Sequence, residues 1–265
     1  MMNNNDMLID AASKGDITSV NDALIAGADI NTRDEIGYTP LMFASIEGSI
    51  DMVKLLIKKG ANINLTDDLG YTPLIRASNY NKIEIVKLLI NHGADVNIVS
   101  DDGWTALGWA SFYGYTTIAK ILIRSGAIIE ARSKIGQTPL MKASIEGRTD
   151  TVKMLLQCGA NINAQNNKGE TALIKTSHWV HANLINKYFQ IARDLITEGA
   201  DINLKSNSGK TALMYASETG HYDVVKLLIK SGADVHMKDN NGKTASMYAR
   251  EKNNVDIVKL LAEVN

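Results

Sequence analysis

Few residues in this chain combine the type and spacing that catalysis or metal binding needs. His178 and His181 stand three apart, which on a helix would turn both imidazoles to one side and let them share a metal ion, but no third ligand follows them. The one cysteine, Cys158, lies in Leu155-Leu156-Gln157-Cys158-Gly159, a helix-end register that fits packing better than a reactive thiolate. With no second cysteine there is no intramolecular disulfide, so no oxidising compartment is implied. A glycine-rich phosphate loop, a Gly-x-Ser-x-Gly turn and a His-Glu-x-x-His helix are all missing. Asp29, Asn62, Asp95, Asn161, Asp201 and Asp234 recur in phase, which marks turn formers and argues against a unique acid-base centre. A non-catalytic protein without cofactor or metal is the expectation.

Binding chemistry is better represented. The residue after each loop glycine is Tyr38, Tyr71, Trp104, Gln137, Glu170, Lys210 and Lys243 in turn, a row that starts aromatic and ends basic. A second row holds Phe43, Arg76, Trp109, Lys142, Lys175, Tyr215 and Tyr248, with Tyr80, Phe112 and Tyr113 close by. Large aromatics kept at a surface cost solubility and are enriched at binding hot spots. Tyr38, Phe43, Tyr71, Tyr80, Trp104, Trp109, Phe112 and Tyr113 are therefore the candidate recognition patch, with packing against neighbours expected first for Trp109, beside the small Gly108. Lys205, Lys210, Lys238 and Lys243 stand at tip positions where an acidic partner segment could meet them, and Lys210 and Lys243 join the candidate contacts.

What must position these side chains is a repeat. Gly-x-Thr-Pro/Ala-Leu occurs at Gly37, Gly70, Gly103 and Gly136 and recurs from Gly169, Gly209 and Gly242, so the motif threonines are 33 residues apart except for one interval of 40. A Gly-Ala-Asp/Asn-Ile/Val-Asn series keeps the same phase from Gly27, Gly60, Gly93, Gly159, Gly199 and Gly232, with a degenerate member at Gly126. Thr39 suits an N-cap, Pro40 the first helical position and Gly48 the end of a short helix. Ile50 to Ile57 then carries the 3.6-residue apolar period of a second, antiparallel helix, stopped by Gly60 in the left-handed conformation. The turn-rich stretch from Ala61 to Gly70 follows as a projecting loop. One such unit cannot bury its own apolar face, so the units must stack.

The period and the Thr-Pro-Leu motif resemble the ankyrin repeat over residues 6–265. The resemblance implies an all-α solenoid of stacked antiparallel helix pairs with projecting β-hairpin-like loops. We count eight pairs in a single domain, 1–265: an N-terminal capping repeat at 6–36, repeats starting near 37, 70, 103, 136, 169 and 209, and a C-terminal capping repeat at 242–265. It also implies a protein partner bound along the concave face, made of the loop tips and the exposed side of the first helices. The histidine usual in the family after Thr-Pro-Leu is replaced by Met42, Ile75, Gly108, Met141, Ile174, Met214 and Met247, exchanging a polar bridge for apolar packing. The long repeat carries seven extra residues within 178–186, close to two helical turns. One turn added to each helix would raise a corner capped by Trp179 and Phe189, and Trp179 is a further candidate contact.

Composition narrows the classes. With 28 Lys and Arg against 29 Asp and Glu the net charge is -1, which disfavours nucleic-acid binding. No apolar run approaches the roughly 18 residues of a membrane span, and the N-terminus has no secretory pattern. The expectation is a cytoplasmic monomer that serves as a protein-interaction scaffold, with delivery into a host cell left open. The alternative is an enzyme or a small-molecule or metal-binding protein with a pocket near Trp104 and Trp109 or at the His178 corner.

Overall fold

The computed structural model describes residues 3–178 and 184–264. Sixteen α-helices and no strands occur among the described residues. The chain divides into two compact units, Met1–Lys134 and Ile135–Asn265. The first holds α1 (Asn4–Lys14), α2 (Ile17–Ile25), α3 (Pro40–Glu47), α4 (Ile50–Lys58), α5 (Pro73–Asn79), α6 (Ile83–Asn91), α7 (Ala106–Tyr113) and α8 (Thr116–Arg124). The second holds α9 (Pro139–Ile145), α10 (Thr149–Gln157), α11 (Ala172–His178), α12 (Ile185–Thr197), α13 (Ala212–Thr219), α14 (Tyr222–Lys230), α15 (Ala245–Glu251) and α16 (Val255–Ala262). Within each unit an odd-numbered helix packs on the even-numbered helix that follows it and on the next odd-numbered helix.

The motif threonine starts the first helix of a pair. Thr39 Oγ1 accepts the Met42 amide at 3.3 Å, and Thr72, Thr105, Thr138, Thr171 and Thr211 cap in the same way. Thr244 makes no such bond. Because these first helices lie between neighbours, they are buried nearly all round: Pro40, Leu41, Met42, Ala44 and Ser45 are all covered in α3. A hydroxyl in so dry a place turns back on its own helix, and Ser45 donates to the Leu41 carbonyl at 2.6 Å. The second helices are amphipathic. Met52, Val53 and Leu56 are buried in α4 while Lys54 and Lys58 are exposed, and Ile85, Val86 and Leu89 repeat that stripe in α6.

The row that replaces the family histidine is buried at Met42, Ile75, Gly108, Met141, Ile174 and Met214. Met247, in the last pair, is 47% exposed.

The loops are turns, hairpin-like in outline but without strand pairing among the described residues. Asp67 closes one: its amide donates to the Tyr71 carbonyl, its own carbonyl accepts the Gly70 amide, and its Oδ1 accepts the amides of Leu69 and Tyr71. Successive tips touch. The Asp101 amide donates to the Leu69 carbonyl at 2.9 Å, and a Cβ on Gly70 (φ 76°) would lie 2.8 Å from the Asp101 nitrogen. Only a residue without a side chain admits that approach.

The recurring Asp and Asn are turn formers, each accepting the amide two residues on, as Asp95 does from Asn97. Between repeats the bond falls to the second Asn of the series: Asn31 accepts the Asn62 amide, Asn64 that of Asp95, and Asn97 that of Ile128.

The insertion lengthens α12 to 13 residues, against nine in α10 and α14, which is about one extra turn. The Tyr188 hydroxyl of this helix is buried and donates to the Ile145 carbonyl at 3.0 Å. Helix α11 is described as far as His178; Trp179 and His181 lie outside the described residues.

Candidate functional site

Three successive repeats of the first unit bring their aromatics into one connected row, held by a cation. The Tyr38 ring meets Phe43 at 5.3 Å between centroids. The Arg76 guanidinium lies between the next two rings, 4.6 Å from the centroid of Tyr38 and 4.3 Å from that of Tyr71. Tyr71 is 6.0 Å from Trp109, which continues to Phe112 at 5.6 Å and Tyr113 at 6.1 Å. Tyr113 stacks on Tyr115 at 5.4 Å with the planes 17° apart. Such pairs and cation-π contacts prefer these separations, so the row is a packed array rather than a set of loose rings.

Local structure explains the alignment. Tyr38 and Tyr71 follow the glycine of a loop tip, whereas Phe43, Arg76 and Trp109 lie on the first helices, four residues past the capping threonine. One turn of helix returns the side chain to the base of the loop, where it meets the tip residue of its own or the preceding repeat. Arg76 is fixed by Asp67 as well, whose Oδ2 accepts from Nε at 2.9 Å and forms a closer contact with a second guanidinium nitrogen. Burial above all, with the charge of the neighbouring Asp102 carboxylate acting in the same direction, pushes the Tyr71 phenol up to about 12. Tyr38 is raised too, chiefly by burial.

The candidate aromatics divide by exposure. Tyr38, Phe43, Tyr71, Trp109 and Phe112 are half-buried, Tyr113 is more open, and Tyr80, at the end of α5, is 51% exposed. Trp104 corrects the expectation of an exposed ring: it is 8% exposed and lies over Gly108, where an added Cβ would fall 2.3 Å from its ring. The tryptophan that fills the space left by Gly108 is therefore Trp104, not Trp109. The indole N–H of Trp109 is buried without a hydrogen-bond partner among the described residues.

The two candidate lysines are each held in an ion pair and beside an aromatic ring, and the Lys243 side chain is still 39% exposed. Lys210 pairs with Glu218 at 2.6 Å and lies 4.0 Å from the centroid of the Tyr248 ring. Lys243 pairs with Glu251 at 2.7 Å and stands 5.4 Å from the same ring. Lys205 donates to the Lys238 carbonyl. Beneath them the Tyr248 hydroxyl donates to Asp239 at 2.6 Å. Burial pushes Asp239 up, but that bond and the amides of Lys243 and Asn241 outweigh it and hold the carboxyl below its ordinary value. Glu170, buried beside Lys175 at 3.2 Å, is lowered in the same way: burial opposes, and the Asn166 amide and the Lys175 charge prevail.

Arg76, which stood in the second row but outside the candidate patch, Asp67 and Tyr115 are the members of the row that the sequence did not mark as contacts. A signal for the first two was present. Asp67 precedes Arg76 by nine residues, and Asp239 precedes Tyr248 by the same interval, so each pair joins a loop base to the helix above it.

Elsewhere, His178 is exposed and its ring stacks on Tyr215 at 4.7 Å. Cys158 is exposed at the end of α10. Among the described residues no group of three His, Cys, Asp or Glu side chains is placed to hold a metal, and no helix is long and apolar enough to cross a membrane.

A family model described as "Ankyrin repeats (3 copies)" matches residues 8–100, 95–166, 127–185 and 178–265. No curated protein matches the chain.

Proposed function

The chain belongs to the ankyrin repeat family, whose members are generally protein-protein interaction modules, and from that premise we propose that it is a non-catalytic scaffold that binds a protein partner through the aromatic face of its first unit. The observation that supports this reading is the connected row from Phe43 to Tyr115, in which most of the rings are only half covered by the protein itself. Rigid aromatics lose little conformational freedom on binding, and the Arg76 clamp fixes two of them beforehand. Trp104 contributes indirectly, by packing against Gly108 of α7. Trp179, outside the described residues, is kept as a second candidate contact, and Lys210 and Lys243 act by holding Tyr248 rather than by meeting the partner.

The test is capture from lysate of the source cell with the immobilised full-length protein. Phe112→Ala with Tyr113→Ala should release a stoichiometric protein partner, whereas Lys54→Ala with Lys87→Ala, on the second helices, should not. Retention of the partner by the aromatic variant would move the interface elsewhere. The competing reading, a small-molecule pocket beside Trp104 and Trp109, predicts thermal stabilisation by a metabolite. The close seating of Trp104 on Gly108 leaves no space between that ring and α7 for one to occupy.

A further inference from the structure

We propose that the partner segment received by this face is cationic, with lysine or arginine side chains interspersed with apolar ones. The inference rests on the reading of the face as a protein-binding surface and adds the chemistry of what it binds.

The loop tips beside the aromatic row carry carboxylates. Successive tips present Glu35 and Ile36, then Asp68 and Leu69, then Asp101 and Asp102, and the run stops at Lys134. In the second unit the equivalent tips are Asn167 and Lys168, Asn207 and Ser208, and Asn240 and Asn241, without a single carboxylate. The protein's own cations neutralise only part of the acidic set. Arg76 takes Asp67 and Arg33 takes Asp68, while Asp34, Glu35, Asp101 and Asp102 are in no ion pair among the described residues. A surface on which uncompensated charge of one sign accumulates selects partners of the other.

The same face shows how it handles a cation. Arg76 lies between two tyrosine rings with a carboxylate behind it, the arrangement in which a weakly hydrated guanidinium is best held. Farther along, Trp109, Tyr113 and Tyr115 continue the aromatic half of that arrangement. Asp102, exposed at the tip and near enough to raise the Tyr71 phenol by its charge, continues the carboxylate half. Both kinds of group meet around Tyr71, whose ring neighbours Trp109 and also holds Arg76, the cation that Asp67 pairs.

Apolar side chains of the partner are called for by aliphatic residues at and beside the tips. Ile36, Leu69 and Val99 are each more than half exposed, at 56%, 58% and 54%. Set among carboxylates, they give an alternating surface that a segment of uniform charge would cover poorly.

The experiment measures fluorescence anisotropy of two labelled short peptides, alternating Arg and Leu in one and Glu and Leu in the other, against the full chain at physiological ionic strength. The Arg-Leu peptide should bind at least about tenfold more tightly than the Glu-Leu peptide. Glu35→Gln with Asp101→Asn should cut its affinity by about tenfold while leaving the melting temperature unchanged, both positions being exposed. Glu35→Lys with Asp101→Lys should invert the preference. Equal binding of the two peptides, or indifference of the Arg-Leu peptide to the neutralised tips, would overturn the proposal. If either occurs while the chain still captures a protein through Phe112 and Tyr113, the interaction face stands and only its cationic occupant falls. If capture also survives Phe112→Ala with Tyr113→Ala, both readings fall together.

Discussion

Arg76 on α5 meets Asp67 at the base of its own loop, and both side chains are almost wholly covered, 11% and 1% exposed. Removing one partner of a buried pair strands the other charge, so Arg76→Ala should cost roughly 3 kcal/mol in urea denaturation. The double variant Arg76→Ala with Asp67→Ala should cost less than the sum of the two single changes, because neither charge is then left alone. Strict additivity in that cycle would mean that the pair is not coupled. Partner binding should weaken in Arg76→Ala even where folding is complete, since Tyr38 and Tyr71 lose the cation between them.

Trp104 and Tyr113 should separate stability from binding. Trp104→Ala empties a buried site and should destabilise by about 3 kcal/mol or more. Gly108→Ala, which forces a methyl group into the same ring, should cost about 1 to 3 kcal/mol despite the better helix propensity of alanine. Tyr113→Ala should change the melting point little and partner affinity much. A Trp104→Ala protein with native stability would contradict the packing described.

Gly70 and Gly242 have almost the same backbone angle, φ 76° and 77°, but different neighbours. Alanine at either pays the strain of a left-handed conformation, about 1 kcal/mol. At Gly70 the new Cβ also meets the Asp101 backbone at 2.8 Å, whereas at Gly242 nothing lies within 4 Å. Thermal melts should therefore show Gly70→Ala to be clearly the more damaging, and equal losses would show that the tips do not support one another.

Acid should weaken the second unit through Glu170 and Asp239. Both carboxyls are held below their ordinary values, so the stability they contribute is present above the unfolded pKa of about 4 and is lost as pH falls through the folded values. Tyr248→Phe removes a bond to the ionised Asp239. Its destabilisation should be evident at neutral pH and should shrink toward zero in strongly acidic solution, read from denaturation midpoints along a pH series. A deficit that does not vary with pH would place the role of Tyr248 in packing alone.

The helix pairs, their caps and the tip turns were legible in the residues themselves, because each depends on neighbours within one repeat. Thr39 caps Met42 three residues away, Gly48 ends α3, and Asp95 folds back on Asn97. Exposure was not legible in this way, since it is set by side chains that the fold brings together across loops and helices, within a repeat as well as between repeats. Trp104 and Tyr71 hold the same place in successive repeats, yet Trp104 rests on a glycine of the helix that follows it and is covered, while Tyr71 finds Arg76 and Trp109 and remains half open. Lys210 and Lys243 look alike in the sequence as free tip charges, and only the folded chain brings Glu218, Glu251 and the Tyr248 ring to them. The period fixed where in a repeat each side chain stands; the side chains brought against it by neighbouring helices decided whether it was spent on packing or left for a partner.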